Sequence, residues 1–304
     1  RSIAVVMQVP SFVSHSVPCL DLVNMKTIAI GALVGLSTLL FADPSLAQAQ
    51  PSWTLPFPRI QSDVQSGQPF VVLVVVPLCS NDQIDCGASW AGQPGRLETN
   101  IYWGAIWGTR RFLQRRNSPW ETVEIAGPSD GLLEQVVFRR HVPGSLWGRQ
   151  GQVEQLVVLQ AVHGTNIDAA VDRFWSYATR GGQIRFQDAG RTRNEGVHVV
   201  GYNGHNRLMD GKRLPDESLL PNAIPSFVMA CVSDSYFAPS LRAAGSFPLL
   251  MTRTLMAPEG YLLDAIVRSL GENASRAQLR DAAISAELKW LKIPASQAQY
   301  MFAP

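Results

Sequence analysis

VHVVGYNGHN, residues 197–206, and IPSFVMAC, residues 224–231, are the stretches that decide the fold. Each apolar run is short, rich in Val, Ile, Phe or Met, and bounded by Gly, Asn or Pro, which predicts two buried strands of a parallel sheet. His205 follows the first strand, and Cys231 ends the second. Ligands bind beyond the carboxyl ends of the strands in open α/β sheets. We therefore expect the two side chains to meet at that edge.

The remaining apolar segments extend this pattern. Residues 69–76, the most β-prone segment, predict the first core strand, and residues 153–162 predict another. A helix predicted for residues 166–178 follows the second of these, and a strand followed by a helix is the order that builds a parallel sheet. The sequence thus predicts an α/β fold with a mostly parallel sheet, in a single domain over residues 67–304.

Other segments are assigned by spacing and by end signals. Ser275 and Gln278 have the spacing of a capping box at the start of a helix. Asn100 can cap a helix whose apolar residues share one face. The assignments are helices for 100–116, 258–270 and 275–291, a strand for 247–252, a hairpin outside the parallel core for 120–125 and 134–142, and a surface connection for 181–195.

The amino terminus predicts export. Met25-Lys26 is followed by an apolar segment, residues 27–41, and by Ala-Gln-Ala at residues 47–49. A basic start, an apolar core and a small-x-small cleavage site are typical of a secretory signal peptide. We expect translation to start at Met25, residues 1–49 to be removed, and residues 50–66 to form an extended arm. The apolar segment is too short for a stable membrane span, so the sequence predicts a periplasmic or extracellular protein.

The cysteines fit that compartment. Removal of Cys19 with the signal peptide leaves Cys79, Cys86 and Cys231 in an oxidising environment. Cys79 and Cys86 flank a short polar loop and are predicted to form a disulfide that contributes roughly 2–3 kcal/mol. Cys231 is then unpaired, which indicates either a reactive thiol or a buried, inert one. A link between Cys79 and Cys231 is the alternative pairing.

Charge and ligand spacing exclude several classes of function. The formal net charge of +2 is too small to predict binding to nucleic acid or to a membrane surface. No Cys/His spacing of the zinc type is present in the sequence. We expect neither a metal nor a cofactor.

Cys231 and His205 are the predicted nucleophile and base. A neighbouring imidazole gives a cysteine thiolate character, and the thiolate is the form that attacks an acyl group. The backbone N–H groups of Asn206 and Cys231 are candidate donors to the developing oxyanion. Gly204 lets backbone and substrate approach closely because it has no side chain. Asp210 is a candidate for orienting His205, and a turn or surface role is the favoured alternative because only five residues of loop separate the two.

An apolar strand ending in His, followed by an apolar strand ending in Ala-Cys, resembles the caspase-like cysteine peptidases, the group of caspases, gingipains, legumain and separase. The matching residues are 197–205 and 227–231. The resemblance implies a three-layer caspase-haemoglobinase fold, His205 as general base or acid, and Cys231 as the attacking thiolate. Family members usually have Gly directly after the His, whereas Asn206 stands here. His163, in the sequence Ala-Val-His-Gly, is the rival base, and His205 is preferred because consecutive strands are usually neighbours.

The sequence therefore predicts an exported thiol protease that hydrolyses peptide or protein substrates through a Cys-His dyad. The alternative is a noncatalytic relative that binds a peptide or protein in the same cleft of the cell envelope.

Overall fold

The computed structural model describes residues 58–304. The predicted signal peptide and the first part of the predicted arm lie outside these residues. The rest of the arm differs from the prediction, because Pro58–Gln65 form a helix, α1, that buries Ile60 and Val64.

The strands of the described residues are β1 Phe70–Pro77, β2 Glu121–Ala126, β3 Leu132–Pro143, β4 Gln152–Val162, β5 Gln183–Asp188, β6 Arg191–Gly196, β7 Val199–Asn203, β8 Ser226–Met229 and β9 Pro248–Leu250. Seven of them form the central sheet, in the order β2-β3-β4-β1-β7-β8-β9. The five strands from β4 to β9 in that order run parallel, and β3 and β2 continue the sheet antiparallel. A separate two-stranded sheet pairs β5 with β6.

Helices cover both faces of the central sheet. After α1, their bounds are α2 Thr109–Leu113, α3 Ile167–Arg180, α4 Ser233–Tyr236, α5 Ala238–Ala243, α6 Gly260–Gly271, α7 Arg276–Trp290 and α8 Ala295–Met301. The predicted capping box at the start of α7 is confirmed, since Ser275 and Gln278 exchange both hydrogen bonds. No helix of residues 58–304 combines the length and the apolar character that crossing a membrane requires.

Strand β1 is buried on both faces, as its uninterrupted apolar sequence predicts. Its alternate side chains enter two different cores. Val72, Val74 and Val76 pack with α1, α6 and α7, whereas Val71, Leu73 and Val75 pack with α3 and α5. Two cores separated by a sheet make a three-layer α/β fold, which confirms the predicted fold class.

The predicted hairpin of β2 and β3 extends the central sheet at one edge, outside its parallel strands. Strand β3 pairs antiparallel with β4 along its whole length, from Leu132 to Pro143. Its middle residues are buried, so they need a neighbouring strand to satisfy their backbone groups. The predicted surface connection is also regular: it is the β5–β6 hairpin, held to β4 by ion pairs from Arg193 to Glu154.

The long helix predicted for residues 100–116 is wrong, because only α2 is helical there and turns precede it. Asn100 is fully buried, and its side chain bonds to both the N–H and the carbonyl of Cys79, at 3.0 and 2.8 Å. These bonds tie the segment to the end of β1. The Oδ1 of Asn100 also accepts from the Tyr102 N–H at 3.2 Å, so this residue caps a turn and not the predicted helix.

Candidate active site

His205 and Cys231 leave adjacent strands from equivalent positions. Strands β7 and β8 are parallel neighbours, and their last paired residues are Asn203 and Met229. His205 lies two residues beyond Asn203, and Cys231 lies two residues beyond Met229. Both side chains therefore belong to the loops at the carboxyl edge of the sheet.

The imidazole of His205 is oriented by a carboxylate. Its Nε2 lies 2.6 Å from Oδ2 of Asp210, and the His205 side chain is 12% exposed. A carboxylate only accepts hydrogen bonds, so in the neutral ring Nε2 carries the proton and Nδ1 holds the lone pair. The hydroxyl of Tyr202 donates to the His205 carbonyl at 2.8 Å and fixes the backbone. In this tautomer Nδ1 is the nitrogen that can act as a base.

The loop that carries Asp210 is attached to helix α3. Arg207 contacts Asp168 at 2.8 Å and Asp210 at 3.5 Å, and Lys212 contacts Asp172 at 2.7 Å. Asp168 lies in the first turn of α3, where a negative charge suits the positive end of the helix dipole. The ion pairs keep the carboxylate beside His205.

Cys231 is the free cysteine of residues 58–304, and it is partly exposed. Its Sγ lies 3.5 Å from both the N and the O of Met256, in the segment that follows β9. The next residue, Val232, has a left-handed backbone with φ of 51°, and α4 begins immediately after it. A β-branched residue pays about 1–3 kcal/mol for that conformation, which persists only when the surroundings impose it. The thiol thus sits on a sharp turn from strand to helix.

Asn206 connects the two loops. It is fully buried, its Nδ2 donates to the Cys231 carbonyl at 2.5 Å, and its Oδ1 accepts from the Leu208 N–H at 3.1 Å. Sequence reasoning considered only the backbone N–H of this residue. The side-chain contact has no local signal, because its partner lies 25 positions away.

The backbone N–H groups of His205, Asn206 and Cys231 have no hydrogen-bond acceptor among the described residues. Two of them are the oxyanion donors that the sequence predicts. Gly204 differs, because its N–H donates to the Met229 carbonyl at 3.1 Å. A Cβ on Gly204 would lie 2.6 Å from Cγ of Pro77, so its missing side chain makes room for β1 and not for a substrate.

The His205 ring and the Cys231 sulfur make no hydrogen bond to each other within residues 58–304. Catalytic hydrogen bonds are often long in the absence of substrate and shorten when it binds. Tyr102 is a further group near the thiol. Burial raises the pKa of the Tyr102 hydroxyl, and the electrostatic interaction with Cys231 acts in the same direction. Neither Tyr102 nor Met256 belongs to any motif, so no local pattern indicated their place near the thiol.

The rival histidine lies farther from the thiol along the sheet. His163 follows β4, and its Nδ1 lies 2.8 Å from the Thr165 hydroxyl. Strand β4 is three positions from β8, or about 14 Å at the usual strand spacing, whereas β7 is adjacent to β8. Strand order therefore favours His205 as the partner of Cys231.

Cys79 and Cys86 form the predicted disulfide, so the alternative pairing of Cys79 with Cys231 is wrong. The bridged loop carries Asp82 and Gln83 to a cleft of about 580 Å³ that also includes Arg207 and Asp210. No group of three or more His, Cys, Asp or Glu side chains is arranged to hold a metal ion in the part of the chain that the structure describes.

We compared the chain with protein-family models, with curated proteins and with solved structures. None of these comparisons gives a match. The family resemblance thus rests on the residues quoted above for the two strands and their ends.

Proposed function

We propose that the protein is an exported cysteine peptidase of caspase-like type, with Cys231 as nucleophile and His205 as base and acid. The observation that carries the proposal is the placement of a free, partly exposed thiol and an aspartate-oriented imidazole at the ends of adjacent parallel strands. Ligands bind at this edge in open α/β sheets.

In the first half of the proposed reaction, Nδ1 of His205 takes the proton of the Cys231 thiol. The sulfur attacks the carbonyl carbon of the scissile peptide bond, and the free N–H groups of the two loops stabilise the oxyanion. The carbon–nitrogen bond then breaks as His205 gives its proton to the leaving amine. The product is a thioester between the substrate and Cys231.

In the second half, His205 takes a proton from water, which attacks the thioester carbon. The carbon–sulfur bond breaks, the acid product leaves, and the proton returns to the sulfur. Asp210 stabilises the imidazolium that forms in both halves, because its carboxylate bonds to Nε2.

Export is part of the proposal, and the disulfide is compatible with it. Disulfides persist in oxidising compartments and are rare in the cytosol. The expected substrates are peptides or proteins outside the cytoplasm.

Alkylation of Cys231 with iodoacetamide tests the reactive thiol. We expect modification at near-neutral pH and a rate at least about tenfold lower in His205→Ala, because the imidazole supplies the thiolate. His163→Ala is the matched control, since it removes another histidine from the same edge of the sheet and should leave the rate unchanged. Equal, slow alkylation of all three proteins would contradict the proposal.

Turnover is tested with a library of fluorogenic peptides. Cys231→Ala should abolish hydrolysis, and His205→Ala should lower kcat by a factor of about 100 to 10,000, the range for loss of a general base.

A noncatalytic peptide-binding protein is the second candidate, favoured by the missing hydrogen bond between His205 and Cys231. Absence of hydrolysis throughout the library, with peptide binding retained in Cys231→Ala, would support this alternative over the peptidase.

A further inference from the structure

We infer that Asn206 is a positioning residue, whose side-chain amide holds the Cys231 loop in register with the His205 loop. The inference rests on the proposed function and goes beyond it by assigning a role to a side chain that touches neither the sulfur nor the imidazole.

The side-chain amide of Asn206 is buried and fully engaged in specific hydrogen bonds. The residue is fully buried, and both functions of its amide are used: Nδ2 donates to the Cys231 carbonyl, and Oδ1 accepts from the Leu208 N–H. The first bond crosses between the loops, and the second stays within the His205 loop. A buried amide deprived of these partners would cost about 1–3 kcal/mol, so the pair of bonds fixes the relative position of the loops.

The accepting carbonyl belongs to the peptide bond between Cys231 and Val232. Val232 is held in the left-handed region by three contacts around it: the bond from Asn206, the Val232 N–H to the Thr254 carbonyl at 2.9 Å, and the Ser233 N–H to the Thr252 hydroxyl at 3.2 Å. A strained backbone relaxes when such a contact is lost. Without Asn206, this peptide unit can rotate, and the Cys231 backbone next to it can shift and move the thiol away from His205.

The location of the bond supports the same role. Asn206 directly follows His205 in the sequence, so a force on its side chain acts on the backbone of the catalytic loop itself. The His205 carbonyl is independently held by Tyr202, and the ring by Asp210. Among the described residues, Asn206 supplies the side-chain hydrogen bond that reaches from this loop to Cys231.

The test compares two buried amides. Gln155 is also fully buried, and its Nε2 donates to the Val267 carbonyl at 2.5 Å, near the amino end of β4 and away from the site. Gln155→Ala removes the same kind of bond, and it also removes the acceptor of the Arg140 Nε at 2.6 Å, so it should cost at least as much stability. Asn206→Leu, which fills the space of the amide, replaces Asn206→Ala if the alanine variant does not fold.

We expect Asn206→Ala to lower the iodoacetamide alkylation rate of Cys231 near neutral pH at least about tenfold, to shift the pH profile of that rate, and to lower kcat with little change in KM. Gln155→Ala should retain the wild-type profile and the wild-type kcat. An unchanged profile in Asn206→Ala and Asn206→Leu, or an equal shift in Gln155→Ala, would overturn the inference.

Hydrogen exchange separates this inference from the proposed function. The Val232 and Ser233 amides should exchange at least about tenfold faster in Asn206→Ala than in wild type, and at the wild-type rate in His205→Ala. If the wild-type protein is inert towards peptides and iodoacetamide, the peptidase proposal fails, and faster exchange at these amides still supports the link between the loops. Unchanged exchange in Asn206→Ala would refute the link itself.

Discussion

Glu287 is a buried carboxyl group outside the proposed site. It is 1% exposed, and the Tyr261 hydroxyl donates to its Oε2 at 3.1 Å. Burial raises its pKa to about 7, and the Glu259 carboxylate acts in the same direction. The native pKa is above the unfolded value, so the native state holds a proton that the unfolded state releases. The contribution of Glu287 to stability is therefore lost as the pH rises from about 4.5 to about 7.

Glu287→Gln should relieve that loss, because an amide keeps an acceptor for Tyr261 and carries no charge. We expect the variant to gain up to about 3 kcal/mol over wild type at alkaline pH and little or nothing in mild acid. Denaturant unfolding of both proteins across this range measures the difference. A gain that does not depend on pH would show that the carboxyl group is not the cause.

His198 makes stability depend on pH in the opposite direction to Glu287. Its Nδ1 accepts from the Val71 N–H at 3.0 Å, a bond that needs a free lone pair, and the residue is 6% exposed. Burial lowers its pKa to about 4, although Asp63, 3.6 Å away, favours the charged form and Arg59 opposes it. Because the native pKa of His198 is below its unfolded value, the contribution of His198 to stability is fully present above about pH 6.5. That contribution is lost as the pH falls towards 4.

His198→Asn should remove this acid sensitivity, since an amide oxygen can accept from Val71 without titrating. Wild type should lose up to about 3 kcal/mol relative to the variant between near-neutral pH and about pH 4. Denaturant unfolding measures the loss, and it must be taken as a difference between the two proteins because Glu287 changes stability in the opposite direction. Parallel stability curves for the two proteins would contradict the assignment.

At the scale of elements, the loop that follows β7 passes close to the end of β1 at Gly204. Gly204→Ala would place a Cβ 2.6 Å from Cγ of Pro77, so this loop or the end of β1 would have to shift. We expect a loss of about 1–3 kcal/mol in the free energy of unfolding, measured with denaturant.

Gly127→Ala is the control for this substitution, because a Cβ there has no heavy atom within 4 Å. Its effect should remain within about 0.5 kcal/mol. Equal stability of the two variants would show that the contact with Pro77 is readily relieved.

Strong local patterns predicted the elements well, and tertiary contacts caused the errors. The apolar strands β1, β4, β7 and β8 and the capped helix α7 carry their own signals in the sequence. Residues 100–108 form turns in place of the predicted helix, and the Asn100 side chain bonds to Cys79 at the end of β1. Apolar side chains of this segment still enter the core, where Trp103 is fully buried.

For the candidate site too, local patterns in the sequence predicted the strands, whereas contacts between distant residues were not predictable. Strand succession predicted that His205 and Cys231 would leave neighbouring strands. The structure also brings Asp210 to the imidazole, a contact for which five residues of loop gave only a weak signal. The contacts of Asn206 and Met256 with Cys231 each span 25 positions. Contacts over that distance depend on how the chain folds back after β7 and β9, which no local pattern encodes.

The disulfide acts on the molecule as a whole by restricting the unfolded chain. Replacing both Cys79 and Cys86 by Ser should lower the free energy of unfolding by roughly 2–3 kcal/mol, as measured with denaturant. Adding dithiothreitol to the wild-type protein should reproduce the loss, and adding it to the double variant should change nothing. A double variant as stable as wild type would mean that contacts such as Asn81 with Ala88 and Ser89 hold the loop without the bridge.

Two kinds of sulfur chemistry coexist at one end of this fold. The bridged sulfurs belong to residues only 2% and 4% exposed, whereas the Cys231 sulfur belongs to a partly exposed residue. Reagents in solution therefore reach the thiol sooner than the bridge. In a purification buffer, a mild, bulky reductant would return an oxidised Cys231 to the free thiol and leave the disulfide intact. A small, strong reductant at high concentration would also reduce the disulfide and so lower the stability of the protein. The choice of buffer thus decides which form of the molecule an assay measures.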